Sequence, residues 1–413
     1  MIEFHTRIHH HEMIQVNLLR LLRFNEMMDA HTEAAICYLR LSEYYQWDFI
    51  TQIPALLNLE PSTPGQRKEF FLNQAVQLFE KSFNLEMAIE CCKALLPLHE
   101  KHIIDFMKLS EMHRHISSLL EQITTGASSL DNYFRFNFIG MDFPQAIRNK
   151  SFMCHAGSCA TLGNTMSFLK KQFPNAIIPM TSTFDQQLAI NNVQYIFVQV
   201  LQSLPQDKEL YDKCYKASES ISRYYKNFNV IKFQGTATIE NKKEKAAGQP
   251  MCTFIKTVCT LKYSLPNVIM VSPIIDEQKS IITELDQNIE IVSTHSNELL
   301  DLCRNIEFNS NLIKNIQMKT SGCLNAFVNG GLATIIPKYF SDTYLLSNPN
   351  DDTKVEQLRD TLFMFMNANT EALKILVDGV SDAMVGFVIN LVESYQTMRD
   401  ILEKKVSTID IYI

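Results

Sequence analysis

From Ile282 to Ile306 the chain reads ITELDQNIEIVSTHSNELLDLCRNI, and the spacing inside that stretch decides the last third of the fold. Ile282, Leu285, Ile289, Val292, Ser296, Leu299, Cys303 and Ile306 step by 3, 4, 3, 4, 3, 4 and 3 residues, a heptad seam with one polar guest, Ser296. A second seam runs Val355, Leu358, Leu362, Phe365, Asn369, Ala372 and Leu376, and a third Met384, Phe387, Leu391, Tyr395, Met398 and Leu402. Three long helices with such stripes predict a bundle over residues 276–413. A bundle has no need of the stretch between the first two seams, Asn325-Ala326-Phe327-Val328-Asn329-Gly330-Gly331-Leu332-Ala333-Thr334, with Gly322 just before it. Glycine in helical sequence costs about 1 kcal/mol relative to alanine, so a Gly-Gly pair marks a break or a close backbone approach. An ordinary helix–helix corner is one reading. The company of Phe327, Val328 and Leu332 favours another, a loop inserted into a partner, because an exposed corner rarely carries three large apolar side chains.

Upstream of the bundle the texture is different. Residues 131–275 hold short β-branched and aromatic runs bounded by Gly, Pro, Asn or Asp: Tyr133 to Phe138, Gln194 to Val200, Val230 to Phe233 and Thr253 to Leu261. Phe134, Phe136 and Phe138 alternate with Arg135 and Asn137, which predicts a strand with one wet face. Two helices are expected within this region, Leu162 to Lys171 and Lys208 to Tyr225, and Asn241 to Gln249 reads as a solvated hairpin tip despite its lysines. Before it, from about residue 8 to 120, the pattern is helical. Ala35, Tyr38, Leu39 and Ser42 share a face, and a related Glu-x-Ala piece recurs from Glu86 to Leu95. The two look like hairpins of a tetratricopeptide-like (TPR-like) array, with Pro54 to Gln66 as a loop between them. The fold class is therefore α+β, mostly α, in three lobes. An antiparallel helical array occupies residues 1–125, a β-rich lobe of antiparallel sheets 126–275, and a helical bundle with an insert loop 276–413.

Composition narrows the function by exclusion. Among 413 residues, 46% are hydrophobic and 20% charged, which excludes wholesale disorder. Lys+Arg 38 against Asp+Glu 45 leaves a net charge of −7, a poor match for nucleic acid or for a membrane surface. The 10 cysteines form no C-x-x-C pair, Met1 to His11 is polar rather than a secretory signal, and no apolar run approaches the length of a membrane span. The expectation is a reduced, cytoplasmic, soluble protein with no direct membrane insertion. His5 and His9 stand at i, i+4 and could share a metal, with Glu12 as the only nearby carboxylate; His99, Glu100 and His102 miss the H-E-x-x-H spacing, and His113/His115 and Cys154-His155 with Cys159 lack partners. No metal site and no cofactor are expected. Phosphate-loop, nucleophile-elbow and dinucleotide fingerprints are all absent, so nothing supports covalent catalysis.

The wording of the middle region is more specific than its pattern. Tyr133-Phe134-Arg135-Phe136-Asn137-Phe138-Ile139-Gly140-Met141-Asp142-Phe143-Pro144, followed by Ile147-Arg148-Asn149-Lys150-Ser151-Phe152, resembles a segment of the second homology region (DHR-2) of the DOCK, or dedicator-of-cytokinesis, family. Phe173-Pro174-Asn175-Ala176, Gln194-Tyr195-Ile196 and Leu265-Pro266 are similar to further landmarks in the same order. Glu33-Ala34-Ala35 and Ala88 to Lys93 look like its helical lobe, and Val328-Asn329-Gly330-Gly331 falls where that region interrupts a long helix. The departures, at Ile139, Asp142, Met153 to Gly157 and Phe233 to Thr236, lie in the lobe that helps choose a partner. The resemblance implies a guanine-nucleotide exchange factor for Rho-family (Rac- or Cdc42-like) small GTPases, met nucleotide-free or GDP-bound, and homodimerisation through the helical lobe. It also implies that Val328 is a nucleotide sensor with Asn329 beside it, and that Phe327, Gly330, Gly331 and Leu332 belong to the GTPase-binding loop. A catalytically silent scaffold that binds GTPases or its own copy is the alternative.

Overall fold

A computed structural model describes residues 10–125, 131–157, 161–180, 186–217, 219–240, 252–304, 312–324, 332–379 and 385–406. Two compact units emerge, one of residues 1–237 with 256–279 and one of residues 238–255 with 280–413.

The first unit begins with helices α1 (His11–Met27), α2 (His31–Ser42), α3 (Pro64–Lys81), α4 (Leu85–Pro97) and α5 (Phe106–Thr125), each packed against the next. Their contact faces are small or aromatic: Ala34, Ala35 and Cys37 of α2, Phe71, Ala75 and Phe79 of α3, and Ala88 and Cys92 of α4 are all fully buried. The stretch expected to remain loop as far as Gln66 in fact turns helical at Pro64. Thr63 caps α3: its hydroxyl accepts from the Gln66 amide at 3.3 Å, and the Gln66 side chain accepts from the Thr63 amide at 3.0 Å. Proline at the first helical position loses no hydrogen bond that the helix would have made. The loop that remains folds over Arg67, buried to 5% exposure, whose guanidinium donates to the carbonyls of Pro54 and Glu60 at 3.0 Å each.

One antiparallel sheet follows, with strands β1 (Asn132–Ile139), β2 (Lys150–Ala156), β3 (Tyr195–Val200), β4 (Gln202–Leu204), β5 (Val230–Glu240), β6 (Cys252–Leu265) and β7 (Val271–Ile282) in spatial order 3-1-2-7-6-5-4. Register places Phe136 opposite Phe152 and Val198, and Phe134 opposite Cys154 and Val200. Helices α6 (Leu162–Gln172), α7 (Lys208–Ala217) and α8 (Glu219–Asn227) lie between strands, α7 and α8 covering the helix expected from Lys208 to Tyr225 except residue 218, which lies outside the described residues. The mostly helical α+β class holds, with one sheet where several were expected.

Two readings of the β region change. The helical bundle does not resume at residue 276, because β7 continues to Ile282 and Ile282 ends the strand instead of opening the seam. Nor does β1 have a wet face. Phe134, Phe136 and Phe138 pack with Phe143, Leu169 and Ile196, and on the other side Arg135 and Asn137 are only 8% and 1% exposed. Arg135 pairs with Glu277 of β7 and donates to Asn137 Oδ1 at 3.0 Å, while Ser151 donates to the same oxygen at 2.6 Å. The polar residues of the strand are buried because they satisfy one another across three strands.

The second unit is the expected bundle. Its helices are α9 (Glu284–Arg304), α10 (Leu312–Leu324), α11 (Leu332–Tyr339), α12 (Asp342–Ser347), α13 (Asp352–Asp378) and α14 (Val385–Val406). All seven residues of the second seam are buried on α13, as are the first seam's Leu285, Ile289, Val292, Ser296, Leu299 and Cys303 on α9. Leu391, Met398 and Leu402 of the third seam are buried on α14, with Phe387 and Tyr395 partly so. Ile306 and Met384 lie outside the described residues, as does Asn241 to Gln249.

Candidate functional site

The candidate site is the apolar, glycine-rich stretch after Leu324. Phe327, Val328, Asn329, Gly330 and Gly331 lie outside the described residues, and Leu332 is the first residue of α11. The stretch expected to run as loop to Thr334 therefore ends three residues sooner. Gly322 belongs to α10, and a Cβ there would meet nothing within 4 Å, so packing does not require glycine at that position. His5 and His9 also lie outside the described residues.

What the structure defines is how both ends of the stretch are held. On the far side, α11 presents Ile335, Ile336, Tyr339 and the following Phe340 to a core built from Leu285, Ile289 and Val292 of α9, Leu358, Leu362 and Phe365 of α13, and Met398 and Leu402 of α14. Asn288 donates to the Tyr339 hydroxyl at 3.2 Å, and Lys338 pairs with Glu284 at 2.7 Å. Such anchoring is needed, since an eight-residue helix has no stability of its own. On the near side, Ile316 of α10 is fully buried among Leu299, Cys303, Ala368, Ala372, Leu376 and Leu391. Lys319 of α10 pairs with Glu298 of α9, and burial together with the Lys319 charge lowers the pKa of His295.

Polar guests interrupt these seams. Ser296, Thr320 and Asn369 are 0% exposed. Ser296 falls between Val292 of the first apolar cluster and Leu299 of the second. Its hydroxyl donates to the Val292 carbonyl at 2.7 Å, and Asn369 Nδ2 donates to the Phe365 carbonyl at 2.8 Å. Thr320 Oγ1 and Asn369 Oδ1 have no hydrogen-bond partner. The sequence marks Ser296 and Asn369 by their place in a stripe, whereas nothing local marks Thr320.

Among the described residues no group of three His, Cys, Asp or Glu side chains is placed to hold a metal ion, and no helix is long and apolar enough to cross a membrane. The buried thiols are pushed upward: burial takes Cys37, Cys91, Cys92 and Cys154 to about 12, which leaves them poor nucleophiles. The described residues on either side of the stretch, in α10 and α11, are each packed into an apolar cluster.

Comparison with known proteins bears on the same two regions. The family model described as DHR-2, Lobe A matches residues 70–125, and that described as DHR-2, Lobe C matches residues 301–405. Dedicator of cytokinesis protein 3 of Mus musculus is 23% identical over 403 residues, covering 96% of this chain and 20% of its own length. Two DHR-2 lobe models and relatives over most of the chain together support a likeness to the DOCK DHR-2 region. Dedicator of cytokinesis protein 4 of Homo sapiens is 24% identical over 364 residues, 87% of this chain and 18% of the relative. DOCK-like protein 1 of Saccharomyces cerevisiae is 26% identical over 123 residues, 29% of this chain and 6% of the relative. The chain spans about a fifth of the length of the first two relatives. The Lobe C match contains the candidate stretch and α10, α11, α13 and most of α14.

Proposed function

We propose that this chain is a guanine-nucleotide exchange factor for a Rho-family, Rac- or Cdc42-like, small GTPase. The helical array, the β-rich lobe and the helical bundle would be its three lobes, the first carrying a homodimer contact and the second and third binding the GTPase. The observation that carries the reading is the Lobe C match over a bundle in which α10 and α11, each packed into an apolar cluster, bracket Val328.

The chemistry asked of Val328 is exclusion. In a nucleotide-loaded GTPase the bound Mg²⁺ requires near-octahedral oxygen ligands and keeps waters among them. A methyl-bearing side chain entering that shell supplies no oxygen and displaces water, so the metal is disfavoured and the phosphate charge is left poorly neutralised. Valine is stiff at χ1 and loses little entropy on insertion, and Gly330 and Gly331 permit close backbone approach. The factor works by binding the nucleotide-free GTPase better than the loaded one, a differential affinity without a covalent step.

The test is release of fluorescent GDP from Rac-, Cdc42- and Rho-like GTPases, with wild type and Val328→Ala in parallel. Wild-type acceleration that drops at least tenfold in the variant, with circular dichroism unchanged, supports both the activity and the residue. Acceleration indifferent to Val328→Ala removes the sensor from the reading. A folded chain that accelerates nothing leaves the scaffold in front.

A further inference from the structure

A second cluster, far from the bundle in sequence, has no part in that reading. His155 stands on β2 opposite Tyr133 of β1. Its Nδ1 meets Glu33 of α2, and its Nε2 lies 3.2 Å from Asp131 Oδ1, just before β1. The three side chains are 2%, 2% and 4% exposed. They meet where the helical array is fastened to the sheet: the His155 amide donates to the Met270 carbonyl at 2.8 Å, and Asn25 of α1 donates to Val268 in the same β6–β7 turn at 3.0 Å.

A neutral imidazole has one N–H and can donate to only one of two carboxylates; its other nitrogen would turn a lone pair toward the second. Only the imidazolium sets a positive charge against both, with Nδ1 hydrogen-bonded to Glu33 and Nε2 in ion-pair contact with Asp131. Other titratable or charged groups lie close by. Tyr133 lies with its ring 5.3 Å away. The thiols of Cys37 on α2 and Cys154 on β2 are held protonated by burial, each with Glu33 adding to the effect. On the far side of Asp131, a cavity of about 10 Å³, the size of a single water, is lined by Glu86 of α4 and Arg223 and Tyr224 of α8.

We infer that Glu33, His155 and Asp131 form a proton-dependent latch: the imidazolium clips α2 to the sheet, and its deprotonation leaves two buried carboxylates facing a neutral ring and loosens the array. Burial opposes the charged ring, but the carboxylates of Glu33 and Asp131 outweigh it and raise the pKa well above 6.5. A folded-state pKa raised in this way gives stability that is complete below the unfolded value of about 6.5 and is lost as pH climbs through the folded value. The loosening is therefore an alkaline event.

The test uses the full chain labelled with ¹⁵N at histidine, titrated from pH 6 to 9.5 by nuclear magnetic resonance. The expected result is one ring that keeps its imidazolium signature at pH 8 and vanishes from the spectrum in His155→Asn. Amide exchange in α2, corrected for the intrinsic pH effect, should show an opening that grows up to tenfold per pH unit above that ring's pKa. His155→Arg, which keeps a permanent charge, should flatten the rise. A His155 ring titrating at or below 6.5 overturns the latch, as does an unchanged rise in the arginine variant. Should either variant fail to fold, the wild-type ring is identified by its coupling to Glu33→Gln, and its pKa decides alone.

Discussion

Thr320→Val should make the bundle more stable. Thr320 has no exposed surface, and its Oγ1 has no hydrogen-bond partner. Helical hydroxyls elsewhere in the same unit settle this by donating to the carbonyl four residues back: Ser296 to Val292 at 2.7 Å, Thr361 to Gln357 at 2.7 Å and Thr370 to Met366 at 3.0 Å. Thr320 does not. A hydroxyl buried without a partner forfeits about 1–3 kcal/mol of hydration, and valine fills nearly the same volume while adding a buried methyl. The net expectation is a gain of about 1–2 kcal/mol. Urea unfolding followed by far-ultraviolet circular dichroism, with amide exchange along α10, measures it. The two compact units need not unfold together. Trp47, the only tryptophan, belongs to the first unit and should report an unmoved transition. A loss of 1 kcal/mol or more in Thr320→Val would refute the reasoning, because it would mean that the hydroxyl is hydrogen-bonded in solution.

Ile336→Ala empties a fully buried position on α11 and should lower the local stability of that helix by about 3 kcal/mol. Its amide exchange would then rise roughly a hundredfold while α2 and α3 stay protected, and on the exchange reading GDP release slows although Val328 is intact. Glu86 gives a pH signature opposite to the usual carboxylate: burial raises its pKa from 4.5 to about 7. The folded chain then holds a proton that the unfolded chain has lost, so stability falls as pH rises between about 4.5 and 7. Glu86→Gln should flatten that fall and add about 1–3 kcal/mol at pH 7.5, read by Trp47 fluorescence during urea unfolding. That window lies mostly below the one assigned to His155, so the two are separable in one titration.

What could be read from sequence was what the chain decides locally. The stripes on α9, α13 and α14 repeat within a few turns of one helix, and their burial follows from periodicity. The Thr63–Gln66 cap is equally local, and the only error there was to count Pro64 as loop when proline at a helix start is no obstacle. The β region failed where pairing decides. Residues 276–282 include Asp276, Glu277 and Lys279 and look unlike a strand, yet they continue β7. Arg135 and Asn137 imitate a solvated face because their partners, Glu277 and Ser151, are supplied by other strands. Glu33 and His155 are separated by 122 residues, and no spacing rule could join them. The stretch from Phe327 to Gly331 is marked in the sequence by Gly-Gly among large apolar side chains, whereas the roles of its residues come only through the family resemblance.

A loop that acts by exclusion places an unusual demand on what holds it. A residue that bonds its target is drawn into place by the bond, whereas an intruding methyl group is attracted to nothing at the site it disrupts. Its effect depends on being presented at a fixed position at little entropic cost. On the exchange reading that demand falls, in this bundle, on Ile316 at one end and on Ile335, Ile336 and Tyr339 at the other, all buried in the apolar clusters. On the exchange reading, the residues most damaging to replace after Val328 should therefore be buried aliphatics of α10 and α11, ahead of exposed polar residues nearer to the GTPase. An exposed pair such as Lys338–Glu284, at 46% and 53% exposure, is worth little to stability, and its loss should leave exchange almost unchanged.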